Sequence, residues 1–112
     1  MEFDRFSLVL LLTNPDAPVR SEADDALIQD AHMSHLSDLH QAGHLLAAGP
    51  TGDIHYRGIC LFKVEAEKAQ ELMASDPAVQ AGWFTLKAMP WMVPGGAMNF
   101  FKTQFPKSIS DL

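Results

Sequence analysis

Four histidines fall within thirteen positions of one segment: His32, His35, His40 and His44. An imidazole can ligate a metal ion or transfer a proton near neutral pH, so this cluster is the first candidate for chemistry. Metal binding by His32 and His35 is geometrically possible, but no Cys-x-x-Cys or His-Glu-x-x-His motif accompanies them. We therefore predict no metal site and expect His35, His40 and His44 to be solvated or hydrogen-bonded side chains.

His32 and His35 both lie on the apolar face of a predicted helix, with His35 nearer the other side of that face. His32 is surrounded there by Ile28, Leu36 and Leu39, and a neutral imidazole on an apolar face needs a hydrogen-bond partner. Asp76 stands at the end of a second predicted helix, and the ends of two helices packed on one sheet can approach each other. A carboxylate bonded to an imidazole fixes its tautomer and raises its basicity, which suits general acid/base chemistry. A plain helix cap explains the position of Asp76 equally well, so spacing alone leaves both interpretations open.

The elements that must position these side chains follow from hydrophobic periodicity. We predict strands over residues 6–12, 44–49, 56–64 and 83–93 and helices over residues 22–42 and 65–75. Ser21 is a natural N-cap for the long helix and Gly43 a natural terminator. The core-facing stripe of that helix is expected to comprise Ile28, Ala31, Leu36 and Leu39.

The β-α-β-β-α-β order predicts an α+β fold of the ferredoxin-like type, an antiparallel sheet with two helices on one face. Pro90 favours an edge or a strand end for the fourth strand. The first strand is apolar in both registers, so a monomer would expose a large apolar patch. We therefore predict a homodimer packed sheet against sheet. A single domain over residues 1–112 is expected, with its core at about 5–92 and a tail, 93–112, packed on the body or on a partner subunit.

Composition narrows the class of function. The net charge of −6 argues against nucleic acid and anionic membrane surfaces as partners. The acidic start has no secretory pattern, and the longest apolar run is far shorter than the ~20 residues of a membrane span. The one cysteine, Cys60, lies among apolar residues and is expected to be buried and inert. A cytoplasmic location is expected, and no cofactor is, because no GxGxxG or phosphate-binding lysine motif occurs.

Three segments resemble the YciI-like (YCII-related) family. They are a helix histidine followed by Leu-Leu-x-Ala-Gly-Pro, the run Arg-Gly-Ile-Cys-Leu-Phe-Lys-Val, and the stretch Asp-Pro-x-Val-x-Ala-Gly. The resemblance spans about residues 5–92 and places the family's histidine on His32 and its aspartate on Asp76. It implies the dimeric α+β barrel fold and a His-Asp dyad in a pocket between sheet and helices. Some members of that family are linked to chloride elimination from hydroxylated chloroaromatic compounds.

The predicted pocket is bounded by Gly49 and Pro50 at its mouth and by the aromatic pair Trp83 and Phe84 at the start of the fourth strand. Glycine allows close approach of a ligand to the backbone, and aromatic walls suit a flat organic molecule. The favoured hypothesis is cofactor-independent elimination or isomerisation of a small, hydroxylated or carbonyl-bearing, aromatic compound. The alternative is a non-catalytic dimer that binds a small ligand or serves as an accessory protein.

Overall fold

A computed structural model describes all residues from 1 to 112. The strands are β1 (Phe3–Thr13), β2 (Leu45–Pro50), β3 (Tyr56–Phe62) and β4 (Phe84–Pro94). The helices are α1 (Glu22–Gln41), α2 (Ala66–Ala74), the four-residue α3 (Pro77–Gln80) and a short 3-10 turn, Ile109–Asp111. All predicted strands and both predicted helices are present, within three residues of their expected ends.

The four strands form one antiparallel sheet in the order β2-β3-β1-β4. This order, with the helices on one face, is the ferredoxin-like α+β fold that the element order predicts. β4 is an edge strand, so Pro90, which pairs with Ser7, removes no hydrogen bond from the sheet interior.

Side chains alternate across the sheet and so define two faces. On the helix side, Val9, Cys60 and Phe62 pack with Leu39 of α1 and Met73 of α2 into the main core. On the opposite, outer side, a smaller cluster forms around Phe6, Leu61 and Val93.

The ends of α1 follow the predicted capping chemistry. The Ser21 hydroxyl accepts a hydrogen bond from the Asp24 backbone N–H at 3.1 Å, and acidic residues occupy the first turn, where the helix dipole favours them. Gly43 follows the C-cap with φ of +85°, a left-handed conformation that glycine adopts without strain.

The buried face of α1 differs from the predicted stripe. Of the expected residues only Leu39 is buried, and Ile28, Ala31 and Leu36 are half-buried. The buried residues are instead His32, Met33, Ser37, Leu39 and His40. The helix is covered from a second direction by the C-terminal tail, a contact that a helical wheel does not contain.

That tail, residues 95–112, contacts both faces of the sheet layer. Phe100 meets Phe6 of the outer face edge-on, with ring centroids 5.7 Å apart. Beyond it the chain reaches α1, where the Ile109 N–H donates to the Asp30 carboxylate at 2.7 Å. The loop between β2 and β3 is ordered by Asp53, whose pKa is lowered by hydrogen bonds from the Tyr56 and His55 backbone N–H groups. No helix combines the length and apolar character needed to cross a membrane.

Candidate functional site

His32 and Asp76 meet in the interior, although 44 positions separate them in the chain. The distance from His32 Nδ1 to Asp76 Oδ2 is 2.5 Å, and the side chains are 10% and 0% exposed. α1 supplies the histidine from its buried face, and the turn between α2 and α3 supplies the aspartate. The packing of α1 against α3 therefore brings the two residues together, although His32 lies in the middle of α1 and not at its end, where the approach was expected.

The Asp76 side chain is not used as a helix cap. The residue stands at the N-cap position of α3, yet its carboxylate makes no capping hydrogen bond. One oxygen bonds His32, and the other, Oδ1, is buried with no hydrogen-bond partner. A buried polar atom without a partner costs free energy and is uncommon, so the fold tolerates a cost to keep this carboxylate against the imidazole.

The hydrogen bond assigns the tautomer of His32. A carboxylate only accepts, so Nδ1 carries the proton and donates it to Oδ2. Nε2 then bears the free lone pair, and it has no hydrogen-bond partner within the protein. An imidazole in this arrangement can take up a proton at Nε2, and the carboxylate stabilises the resulting cation.

His32 forms part of the wall of a cavity of about 320 Å³ between the sheet and α1. The remaining wall comes from the sheet, α1 and the tail: Leu11, Gln29, Met33, Leu36, Ala48, Gly49, Pro50, Arg57, Cys60, Phe84, Phe105, Pro106 and Leu112. The volume lies at the lower end of the range of small-molecule sites. The wall is mainly apolar with a few polar groups, as such sites usually are.

Three of the four residues predicted to bind substrate line this cavity: Gly49, Pro50 and Phe84. A Cβ atom added at Gly49 would meet nothing within 4 Å, so packing does not require glycine there. Phe84 also contacts His32, with ring centroids 6.1 Å apart. The fourth, Trp83, does not line the cavity; its ring packs edge-on against Phe84 at 6.2 Å. Trp83 lies in the bend that precedes β4, whereas Phe84 is the first residue of the strand.

The other histidines of the segment hold elements together. His35 Nε2 donates to the Leu72 carbonyl at 2.9 Å and so joins α1 to α2. His40, which the helical wheel places near the polar edge, is in fact buried. Its Nδ1 donates to the Leu45 carbonyl at 2.7 Å, and its Nε2 accepts from the Thr103 N–H at 3.3 Å.

No group of three or more His, Cys, Asp or Glu side chains in the structure could hold a metal ion. Cys60, in the cavity wall, is almost fully buried. Burial and the charge of Asp76 raise the pKa of its thiol to about 12, so at neutral pH it carries no nucleophilic thiolate.

Sequence reasoning missed two parts of the wall. Arg57 and Gln29 contribute polar side chains, and Phe105, Pro106 and Leu112 bring the tail over the cavity. The tail is separated from α1 by most of the chain, and no local periodicity indicates where it packs. Phe105 and Pro106 were one sequence signal that the tail packs on the rest of the protein, because apolar residues in a glycine-containing tail need a surface to cover them.

The family model of the YCII-related domain matches residues 8–91. Among solved structures, the chain is similar to 5-chloro-2-hydroxyhydroquinone dehydrochlorinase from Burkholderia phenoliruptrix AC1100, determined in complex with 2,5-dihydroxybenzoquinone. The sequence identity is 16% and the TM-score 0.53, over 77% of this chain and 92% of that one. At this identity the likeness shows the fold. No curated protein sequence matches the chain significantly.

Proposed function

Because the chain belongs to the YCII-related domain family, we propose that it is a small acid/base enzyme that acts on a hydroxylated aromatic compound without a cofactor. The observation that carries the proposal is the buried His32–Asp76 hydrogen bond at the wall of a cavity of about 320 Å³. A buried, hydrogen-bonded pair of ionisable side chains in a cleft is a typical feature of catalytic sites. The related fold of a dehydrochlorinase of a chlorinated hydroquinone supports the same class of substrate.

In this proposal His32 is the catalytic base and acid, and Asp76 is its positioning partner. Nε2 accepts a proton from a hydroxyl group of the bound ring, and Asp76 stabilises the imidazolium. The same nitrogen returns the proton at another atom of the substrate, which is isomerisation when no group departs. Phe84 supplies an aromatic wall, and Gly49 and Pro50 bound the ring at the β2 side.

Elimination of chloride requires the same two proton transfers and a third. Moving one hydroxyl proton to the ring carbon that bears chlorine gives the keto form. Loss of a second hydroxyl proton to His32, while chloride departs with the carbon–chlorine electron pair, then leaves a quinone. The sum is loss of HCl, so no oxidant or reductant is consumed. A positioned base of this kind typically contributes ~10²–10⁴-fold to the rate.

The proposal includes a homodimer. The outer face of the sheet carries Leu8 and Leu10, which are half-buried, and Ile59 and Trp91, which are 42% and 38% exposed. The register places Ile59 beside Leu10 and Trp91 beside Phe6, so these side chains form one continuous apolar surface. Packing two such faces together would remove that surface from water.

The test measures chloride and proton release from 5-chloro-2-hydroxyhydroquinone, other chlorinated hydroquinones and small lactones. We expect His32→Ala to lower kcat by ~10²–10⁴-fold and Asp76→Asn by at least ~10-fold, because an amide neither stabilises the imidazolium nor enforces the Nδ1–H tautomer. His44→Ala is the matched control, because that half-buried histidine makes no side-chain hydrogen bond and lies outside the cavity.

Two results would contradict the proposal that this protein is an enzyme. Turnover by His32→Ala at the wild-type rate would remove the assigned base. Absence of turnover on every compound, with ligand binding that survives His32→Ala, would support the alternative of a non-catalytic binding protein. Circular dichroism of each variant separates loss of chemistry from loss of fold.

A further inference from the structure

Arg57 is displaced from the regular alternation of β3. Along the β1–β3 pair, Leu11 is opposite Gly58 but Leu12 is opposite Tyr56, so Arg57 is the extra residue of a β-bulge. Strict alternation would place Arg57 on the outer face with Ile59, because Gly58 and Cys60 point to the helix side. A bulge locally redirects the side chain, and bulges are frequent next to active sites. The result is that Arg57 lines the same cavity as His32.

The guanidinium of Arg57 has no partner in the protein. The chain has 14 acidic residues, yet the ion pairs of the structure are His32–Asp76 and Lys68–Glu71. No Asp or Glu side chain lines the cavity, and the polar side chains in its wall are Gln29, His32 and Arg57. A planar guanidinium with free donors, beside apolar walls and without an opposing acidic side chain, is suited to bind an anionic oxygen of a ligand.

We infer that Arg57 is the specificity-determining residue of the cavity and that it selects a substrate with an ionised oxygen, a phenolate or enolate, on a flat ring. The part of this inference that concerns the reaction rests on the proposed function, whereas the part that concerns ligand binding does not. The charged oxygen binds the guanidinium while the ring lies against Phe84, which leaves a second hydroxyl group for His32. Arg57 would also stabilise the negative oxygen that remains when a hydroxyl proton is removed.

The experiment compares two ligands with the same ring. 2,5-Dihydroxybenzoquinone is a vinylogous acid and carries anionic oxygens at neutral pH, whereas 2,5-dimethoxybenzoquinone is neutral and has no acidic hydrogen. Affinities are measured by isothermal titration calorimetry for the wild type, Arg57→Met and Arg57→Lys. Lys63→Met is the matched control, because it removes one positive charge just beyond the same strand but outside this cavity.

We expect Arg57→Met to weaken binding of the dihydroxy compound by ~10-fold to ~100-fold and to leave the dimethoxy compound unchanged, since a hydrogen bond to a charged group is lost. Arg57→Lys should give an intermediate loss, because an ammonium keeps the charge without the fork of donors. Lys63→Met should bind both compounds as the wild type does. The preference of the wild type for the anion should also decrease with salt, because Arg57 is exposed to solvent.

Equal affinity of the wild type for the two compounds, or an unchanged preference in Arg57→Met, would overturn the inference. A failure of the proposed reaction can be distinguished from a failure of this inference. If the anion preference depends on Arg57 but His32→Ala turns over substrate normally, the binding role stands and the catalytic assignment does not. His32→Ala should retain the anion preference in calorimetry, which measures binding without turnover.

Discussion

At the scale of a single residue, the carboxylate of Asp76 carries a free-energy cost for the folded protein. It is fully buried, bonds His32 through one oxygen and leaves the other without a partner. An apolar residue at this position would avoid that cost, and Ser, Thr or Asn would suffice at an N-cap. The choice of an acid is therefore best explained by the imidazole it contacts, which is a reason of chemistry and not of local stability.

The charge of the same carboxylate acts on the Cys60 thiol, and this leads to a prediction about how folding stability depends on pH. Its pKa is raised from 9.0 to about 12 in the folded state, mainly by burial and then by Asp76. Between these values the unfolded chain loses the thiol proton and the folded chain keeps it. Folding then requires proton uptake, so stability should fall as pH rises above ~9, by at most ~1.4 kcal/mol per pH unit.

Urea unfolding at pH 8 and pH 10 measures this dependence, and Cys60→Ala is the control that separates the cysteine from tyrosine and lysine titrations. The wild type should lose more stability between the two pH values than Cys60→Ala does. Equal losses in the two proteins would show that the thiol ionises at an ordinary pH and is not held neutral by its surroundings.

At the scale of elements, the tail is the part of the chain that completes the cavity. His40 of α1 holds it by the hydrogen bond that its Nε2 accepts from the Thr103 N–H and by stacking on Phe105, with ring centroids 4.0 Å apart and the planes inclined by 13°. Phe105 in turn packs on the main core and lines the cavity. The attachment of residues 103–105 thus decides whether the cavity has its third wall.

We predict that His40→Ala loosens the tail, because it removes the stacking partner of Phe105 and the hydrogen bonds to Leu45 and Thr103. A loss of about 1–3 kcal/mol of local stability corresponds to a ~5-fold to ~150-fold larger population of the open form. Limited trypsin digestion measures it at Lys102 and Lys107, which are exposed residues of the tail. His44→Ala is the control, and cleavage at the wild-type rate in His40→Ala would contradict the role of His40.

At the scale of the whole molecule, the outer sheet face is the surface of the proposed dimer. The tail covers this face only around Phe6 and Leu61, through Met98 and Phe100, and leaves Ile59 and Trp91 exposed. The helix side carries the candidate site, so a second copy on the outer face would leave the cavity wall at Gly49 and Pro50 unchanged within each subunit. The proposed dimer contact and the proposed catalytic site thus lie on opposite sides of one sheet.

We predict that Ile59→Glu converts a dimer to a monomer, because a carboxylate at the centre of the apolar face would be buried without a partner. Sedimentation velocity at micromolar concentration measures the mass. The control is Leu27→Glu, which places the same charge on an exposed apolar residue of α1, 68% accessible, away from the sheet. A wild-type protein that sediments as a monomer would remove the dimer from the proposal.

Local patterns were sufficient to predict much of this protein. Alternation and 3.6-residue periodicity located the strands and helices, Ser21 and Gly43 marked the ends of α1, and Pro90 indicated an edge or a strand end. The pairing of His32 with Asp76 came from residue chemistry together with the family resemblance, because an imidazole on an apolar face needs a partner. Each of these inferences depends on neighbours in sequence or on a motif, which a single chain displays.

Only the tertiary structure decided the rest. The bulge that turns Arg57 toward the cavity is a property of how β1 and β3 pair, and nothing within β3 alone specifies that register. The burial of His40 and the third wall of the cavity depend on a tail that returns to α1 from 63 positions away. These contacts form when the packing gained across the whole fold exceeds the entropy that the chain loses as distant segments meet. They are therefore set by the assembled molecule and not by any one segment of its sequence.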